Sequence, residues 1–235
     1  AADGFGLLLA PGEHGTAVPD HVLASSPFDV VVLGEGEETF VALLRAHAVG
    51  RPLAEVKGIA FRDGAGVVKT GLSARRTDID AIPAPDWDSF PLEEYIARHQ
   101  INGINLGRSM PVLGTRGCPF QCTFCSNPGM WTQRWIARDP RLLADEMALY
   151  RTRYGVTNFD FQDLTAIVKR EWIVAFCREL IARDLRVTWQ MPSGTRAEVF
   201  DEEVADLLYR SGCRALAFAP ESGSPEILRI VKKQV

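Results

Sequence analysis

The chain has 235 residues, 46% of them hydrophobic and 24% charged, with a formal net charge of −4. Those proportions fit one large or two small globular domains and exclude a disordered tail. The acidic balance gives no general attraction to nucleic acid or anionic lipid, and no apolar run approaches the length of a membrane span.

In chain order, Gly6–Ala10 is a short apolar strand broken at Pro11-Gly12, and Asp29–Leu33 is a second strand of buried type. Between them Val18, Val22 and Leu23 predict a short amphipathic helix. After Gly34-Glu35-Gly36 a helix follows with Phe40, Leu43, Leu44 and His47 on one face. Two strands each followed by a helix suggest part of an open α/β sheet. Residues 58–62 and 67–70 flank Asp63-Gly64-Ala65-Gly66, a hairpin signal. Ile82-Pro83-Ala84-Pro85-Asp86-Trp87 reads as an extended linker, which puts a domain boundary near residue 80 with a lead-in up to Arg108.

From Pro111 the rhythm is regular. A strand at Val112–Thr115 leads into a cluster of cysteines. Asp139-Pro140 starts a helix, with Asp as cap and Pro in the first turn, and Gly155 ends it. A strand at Asn158–Phe161, a helix from about Lys169 to Asp184, a strand at Arg186–Gln190, a helix capped by Asp201 and ended at Gly212, and a strand at Ala215–Ala219 follow. Ser224-Pro225-Glu226 starts one more helix. Four strand–helix units in a row predict a parallel sheet curling toward a barrel.

Cys118-Pro119-Phe120-Gln121-Cys122-Thr123-Phe124-Cys125 is the strongest chemical signal. It follows a strand, so it lies at a carboxyl end, where α/β sheets and barrels place their active sites. Three thiolates on a short loop can hold three irons of a cubane 4Fe-4S cluster, which leaves the fourth iron open, as a catalytic centre requires. The alternative is a non-catalytic zinc or electron-transfer module, which wants a fourth ligand. Cys177 lies mid-helix among apolar residues and Cys213 leads into a strand, so both read as packing residues. His99, before the loop, stays open as a ligand. The odd count of five cysteines is a poor disulfide framework and favours a reducing, cytoplasmic setting. No export signal is visible at the start, although the first residue is Ala rather than Met.

Arg116-Gly117-Cys118-Pro119-Phe120 through Cys125-Ser126 resembles the cluster loop of radical S-adenosylmethionine (SAM) enzymes, a resemblance covering about residues 111–235. It implies that Cys118, Cys122 and Cys125 ligate a 4Fe-4S cluster whose open iron is chelated by SAM. An electron then splits the sulfonium to give a 5′-deoxyadenosyl radical. Phe124 matches the aromatic position near the adenine. Asp163, after the second strand, accepts from the SAM amino group or holds a water, or else caps the following segment. Arg196 pairs with the SAM carboxylate, or is a surface Arg. Glu221-Ser222-Gly223-Ser224 resembles an element common in one branch of the superfamily, which assigns Glu221 and Ser222 to SAM binding.

The N-terminal piece resembles the second half of a cobalamin-binding domain, through Pro11-Gly12-Glu13-His14-Gly15-Thr16 and Leu33-Gly34-Glu35-Gly36-Glu37-Glu38-Thr39-Phe40. The resemblance implies cobalamin contacts at Gly12, His14, Thr16, Gly34, Glu35 and Gly36, where glycine turns let the backbone approach a bulky ligand. The family often has two glycines where this chain has Pro11-Gly12. His47, in Arg45-Ala46-His47-Ala48-Val49-Gly50, lacks the Asp-x-His-x-x-Gly context of a cobalt ligand and reads as a helix residue.

The expected architecture is therefore α/β. Residues 1–57 form the C-terminal part of an open, Rossmann-like cobalamin-binding domain, 58–108 a hairpin and linker, and 109–235 the first four units of a (β/α)6 radical SAM partial barrel. The chain reads as an internal piece of a longer enzyme, inactive by itself. The expected activity is methyl transfer to an unactivated carbon or phosphorus, using the 4Fe-4S cluster, SAM and cobalamin. The alternatives are an anaerobic oxidative cyclase of the magnesium-porphyrin ester type and a radical SAM enzyme without cobalamin. Expected partners are a small-molecule or peptide substrate and an electron donor such as flavodoxin or ferredoxin.

Overall fold

The computed structural model describes residues 7–64, 66–100 and 102–234. Gly6 of the first expected strand and Ala65 of the expected hairpin turn lie outside the described residues. Two compact units divide the chain: Ala1–Thr77 with Phe124–Gln133, and Asp78–Thr123 with Arg134–Val235.

The first unit contains β1 (Leu9–Ala10), α1 (Glu13–Ala17), α2 (Pro19–Ser25), β2 (Val30–Val32), α3 (Gly36–Ala48), β3 (Ile59–Asp63) and β4 (Gly66–Lys69). The sheet order is β1-β2-β3-β4; β1 and β2 are parallel, and β3 and β4 form the hairpin. The Val30-Val31-Val32 run suits a strand covered on both faces. Val30 and Val32 pack with Leu43, Ile59 and Phe61, whereas Val31 packs with Val22, Leu23 and Ala60.

Two expectations here need correction. Val18 falls between α1 and α2 and is exposed, while Val22 and Leu23 are buried. On α3 the buried stripe is Thr39, Leu43 and Ala46, and Phe40, Leu44 and His47 are exposed. The reason is steric. The short Thr39 and Ala46 side chains let α3 sit close to the sheet, and a Cβ on Gly58 would stand 2.6 Å from Thr39 Oγ1.

The chain continues through α4 (Leu92–Ala97), β5 (Ser109–Val112), β6 (Thr115–Arg116), α5 (Asn127–Met130), β7 (Ile136–Ala137), α6 (Pro140–Tyr154), β8 (Asn158–Phe161), α7 (Arg170–Arg183), β9 (Thr188–Thr195), α8 (Glu202–Arg210), β10 (Cys213–Phe218) and α9 (Pro225–Ile230). Of these, α5 belongs to the first unit, where it packs on α1. In the second unit β10-β9-β8-β5 form an all-parallel sheet, and β6 pairs with β7 as a separate ribbon. The fold is thus α/β with parallel strands joined by helices, as expected.

Local chemistry places the helices. Asp139 accepts from the Arg141 N–H, Asp201 from Val204 and Ser224 from Ile227, each capping the helix that follows; Gly155 ends α6 at φ 65°. Alternation along β8 sends Phe159 and Phe161 into the helix-side core with Phe176 and Trp189, and Asn158 and Asp160 to the other face. Trp172 stacks on Phe176 at 5.6 Å in the same core.

Three strands of this unit differ from the sequence reading, the last of them running Cys213–Phe218 instead of Ala215–Ala219. The expected Val112–Thr115 strand is Ser109–Val112, because Pro111 is tolerated on an edge strand and the chain then leaves for the β6–β7 ribbon. The expected Arg186–Gln190 strand begins at Thr188, since Asp184 and Arg186 hold left-handed φ values of 46° and 51°. It then runs on to Thr195, pairing with β10 as far as Thr195–Phe218. Among the described residues no helix is long and apolar enough to cross a membrane.

Candidate cluster and cofactor sites

The cysteine loop leaves β6 and returns through β7. All five cysteines are thiols: Cys118 and Cys122 half-buried, Cys125 exposed, Cys177 and Cys213 buried. Burial pushes the Cys177 thiol up to about 11 and that of Cys213 up to about 12. These two are protonated core residues, as the sequence suggested. At Cys125 the sulfur accepts from the Asn127 backbone N–H at 3.4 Å. Among the described residues no three His, Cys, Asp or Glu side chains already enclose a metal-sized space.

The second unit holds the loop's entry and exit firmly. Asp163, 2% exposed, accepts from the Gly114 N–H at 3.1 Å and the Thr115 hydroxyl at 2.5 Å. Burial raises its carboxyl to about 6, against the lowering effect of those donors. Gly114 is required by close approach: a Cβ there would lie 3.0 Å from both Phe161 and Trp172. Arg138, beside β7, donates to Asp80 at 3.0 Å and to Glu146 at 2.7 Å, and its backbone N–H donates to Gly114 O. Trp172 Nε1 in turn donates to the Arg138 carbonyl at 2.8 Å.

Arg196, 8% exposed, lays its guanidinium 3.6 Å from the centre of the Phe120 ring and pairs with Glu198. Its immediate contact is therefore the loop between the first two cysteines. Asp163 likewise engages the strand leading into the loop. Phe124 is 58% exposed. Glu221 adopts φ 67°, a strained conformation for a non-glycine residue, and accepts from Lys233 Nζ at 3.2 Å. Ser222 Oγ accepts from the Ser224 N–H at 3.0 Å.

Lys233 went unnoticed in the sequence. With Arg229 and Lys232 it lines a hollow of about 430 Å³ that also touches Pro119, Phe120 and Gln121. The cationic wall beside the loop suits an anionic group. A lysine pair just after a short helix carries no sequence signal for this role.

The first unit assembles a second edge. Thr16 Oγ donates to the Gly12 carbonyl at 2.9 Å and accepts from the Gly34 N–H at 3.0 Å. It thus ties the loop after β1 to the loop after β2, at the carboxyl ends of two parallel strands. Gly34 sits at φ 70°, where other residues are strained. His14 is exposed and Gly36 opens α3. The Glu35 carboxylate is enclosed, paired with Arg75 at 3.3 Å and accepting from the Arg76 N–H at 2.9 Å. It fastens the 75–76 segment instead of facing out. Arg75 also lies 5.4 Å from the Trp131 ring.

The family profile described as the Radical SAM superfamily matches residues 112–235. The chain is 30% identical over 230 residues to an uncharacterized methyltransferase, PH0819, of Pyrococcus horikoshii, covering 97% of this chain and 48% of that protein. It is 31% identical over 234 residues to the anaerobic magnesium-protoporphyrin IX monomethyl ester cyclase of Cereibacter sphaeroides, covering 97% of this chain and 37% of that protein. The chain thus spans about half or less of these curated relatives. Among solved structures, its fold resembles the radical SAM methyltransferase TsrM of Kitasatospora setae, determined with cobalamin and a [4Fe-4S] cluster bound. The TM-score is 0.73 at 20% identity, over 94% of this chain and 43% of that one.

Proposed function

Because the chain belongs to the radical SAM superfamily, we propose that it is part of a cobalamin-dependent enzyme in which Cys118, Cys122 and Cys125 hold a 4Fe-4S cluster. When bound, the cluster and SAM supply a carbon radical by reductive cleavage of SAM, and cobalamin supplies a transferable methyl group. The observation that carries the reading is the division among the thiols. Three lie on one loop as half-buried or exposed donors, whereas the other two are buried and protonated.

The chain's own residues position these groups. Asp163 and Arg138 fix the strand before the loop and the strand after it. Arg196 braces Phe120. Glu221 and Ser222 occupy the strained turn after β10, where carboxylate and hydroxyl can meet a ribose. In the first unit Gly12, Thr16 and Gly34 offer backbone at a sheet edge to a bulky cofactor. The reaction is methyl transfer to a carbon or phosphorus that is not itself nucleophilic, with an electron donor such as flavodoxin or ferredoxin. The 31% identity to the Cereibacter cyclase supports oxidative cyclisation as a second reading.

Anaerobic reconstitution of the full-length protein with iron and sulfide tests the proposal. The expected result is about four irons per chain, an electron-resonance signal that shifts on adding SAM, and a cobalamin absorption spectrum. Cys118→Ala, Cys122→Ala or Cys125→Ala should each remove the SAM-responsive signal, and Cys177→Ala should not. Loss of the signal in Cys177→Ala would overturn the ligand assignment, and absence of bound cobalamin would overturn that part of the reading. Product analysis separates methylation from cyclisation.

A further inference from the structure

A cavity of about 510 Å³ lies in the second unit, lined by Trp87, Phe90, Tyr95, Asn102, Asp160 and Gln162 among others, and by none of the cysteine-loop residues. That is the size of a small-molecule site. Its walls are aromatic: Phe90 and Tyr95 lie 4.8 Å apart, and Trp87 meets Phe90 edge-on at 6.1 Å. Its acidic residue is Asp160, on the face of β8 turned away from the aromatic core.

Asp160 is only 2% exposed. Its Oδ1 accepts twice, from Asn158 Nδ2 at 2.8 Å and from Gln190 Nε2 at 2.6 Å. Gln190 is itself fixed by the Ile104 backbone, donating to its carbonyl at 2.8 Å and accepting from its N–H at 3.1 Å. Among the described residues no hydrogen bond reaches Asp160 Oδ2. Oδ2 is thus left able to accept from a ligand in the cavity that Asp160 lines, while Oδ1 is held in place. Burial raises the Asp160 carboxyl, and the two amide donors lower it.

We propose that this cavity is a binding site for a flat, apolar ring compound bearing a nitrogen donor, with the ring against the wall formed by Trp87, Phe90 and Tyr95 and the donor on Asp160 Oδ2. The amides of Gln162 and Asn102 complete the polar side. The fixed Oδ1 sets the carboxylate plane, so the donor's direction is set before the ligand arrives. The inference rests on this cavity alone and stands apart from the cluster chemistry.

Isothermal titration of the full-length protein with benzamidine tests it, since benzamidine joins a flat apolar ring to a cationic nitrogen fork. Benzoate, with the same ring and an anionic head, is the control. The expected result is saturable benzamidine binding, no benzoate binding, and at least a tenfold weaker benzamidine affinity in Asp160→Asn, about 1.4 kcal/mol. Tyr95→Ala changes a partly exposed wall residue and should also weaken binding; it decides the matter if Asp160→Asn does not fold. Equal binding of the two probes, no saturable benzamidine binding, or wild-type affinity in the folded variants would overturn the assignment.

Discussion

The Arg196 guanidinium lies 3.6 Å from the centre of the Phe120 ring, between the first two cysteines of the loop. A cation held over an aromatic face in a largely dry setting contributes on the order of 0.5–2 kcal/mol. Arg196→Ala should therefore loosen the loop, with less iron retained after gel filtration and a SAM affinity several-fold weaker. Arg196→Lys should recover only part of this, since an ammonium does not stack as a plane. Phe120→Leu should match Arg196→Ala. Wild-type iron content and an unchanged SAM-induced resonance shift in both would show that the contact does not support the loop.

Asp163 predicts a pH signature. Its carboxyl is raised from 3.8 to about 6 by burial. Between those values the native state keeps a proton that the unfolded chain has released. The stability from this group is fully present below pH 3.8 and is lost as pH rises through 6, by about 3 kcal/mol in all. Asp163→Asn keeps the acceptor for Thr115 but loses the one for Gly114, and it does not titrate. Melting curves of the cluster-free protein should show the variant gaining on wild type as pH rises from 4 to about 6.5. Parallel curves across that window would refute the assignment.

Much of the second unit is legible because its signals are local. Asn158–Phe161 alternates between two faces, and Asp139, Asp201 and Ser224 cap helices with their own side chains. What escaped depends on partners distant in sequence. Phe40 and Leu44 look like the buried stripe of α3, but the close approach of Gly58 to Thr39 turns the helix face. The contact of Arg196 with Phe120, 76 positions earlier in the chain, has no local signal. Glu35 looks like an open turn residue until Arg75 is seen beside it. The three loop cysteines were legible because their spacing alone carries chemistry. The place of Asp160 at the end of a strand was legible too, but the aromatic cavity it lines and the amides that fix its Oδ1 appear only in the tertiary fold.

The thiols should separate by reactivity. With burial holding Cys177 near 11 and Cys213 near 12, each is almost wholly protonated at pH 8. Iodoacetamide should modify Cys122 and Cys125 of the cluster-free protein quickly and leave Cys177 and Cys213 untouched until denaturant is added. Peptide mapping by mass spectrometry reads this directly. Labelling of Cys177 at the rate of Cys125 would mean that α7 opens readily, and the assignment of Cys177 to the core would fall.

Thr16 is the hinge pin of the first unit's sheet edge. One hydroxyl accepts from the Gly34 N–H and donates to the Gly12 carbonyl, so it sets the spacing of the two loops proposed to meet cobalamin. Thr16→Val keeps the shape and removes both side-chain bonds; the Gly12 carbonyl retains the Thr16 backbone N–H, and the partly buried Gly34 N–H is left to find water at a cost of about 1–3 kcal/mol. Thr16→Ser restores the hydroxyl. Cobalamin retention should fall roughly tenfold in the Val variant and return in the Ser variant. The iron content and the SAM-dependent resonance shift should stay at wild-type values in both, because the tie lies wholly within the first unit. Equal cobalamin retention in all three proteins would show that loop spacing at this edge does not govern the cofactor. Parallel loss of iron and cobalamin would show instead that Thr16 acts on stability at large.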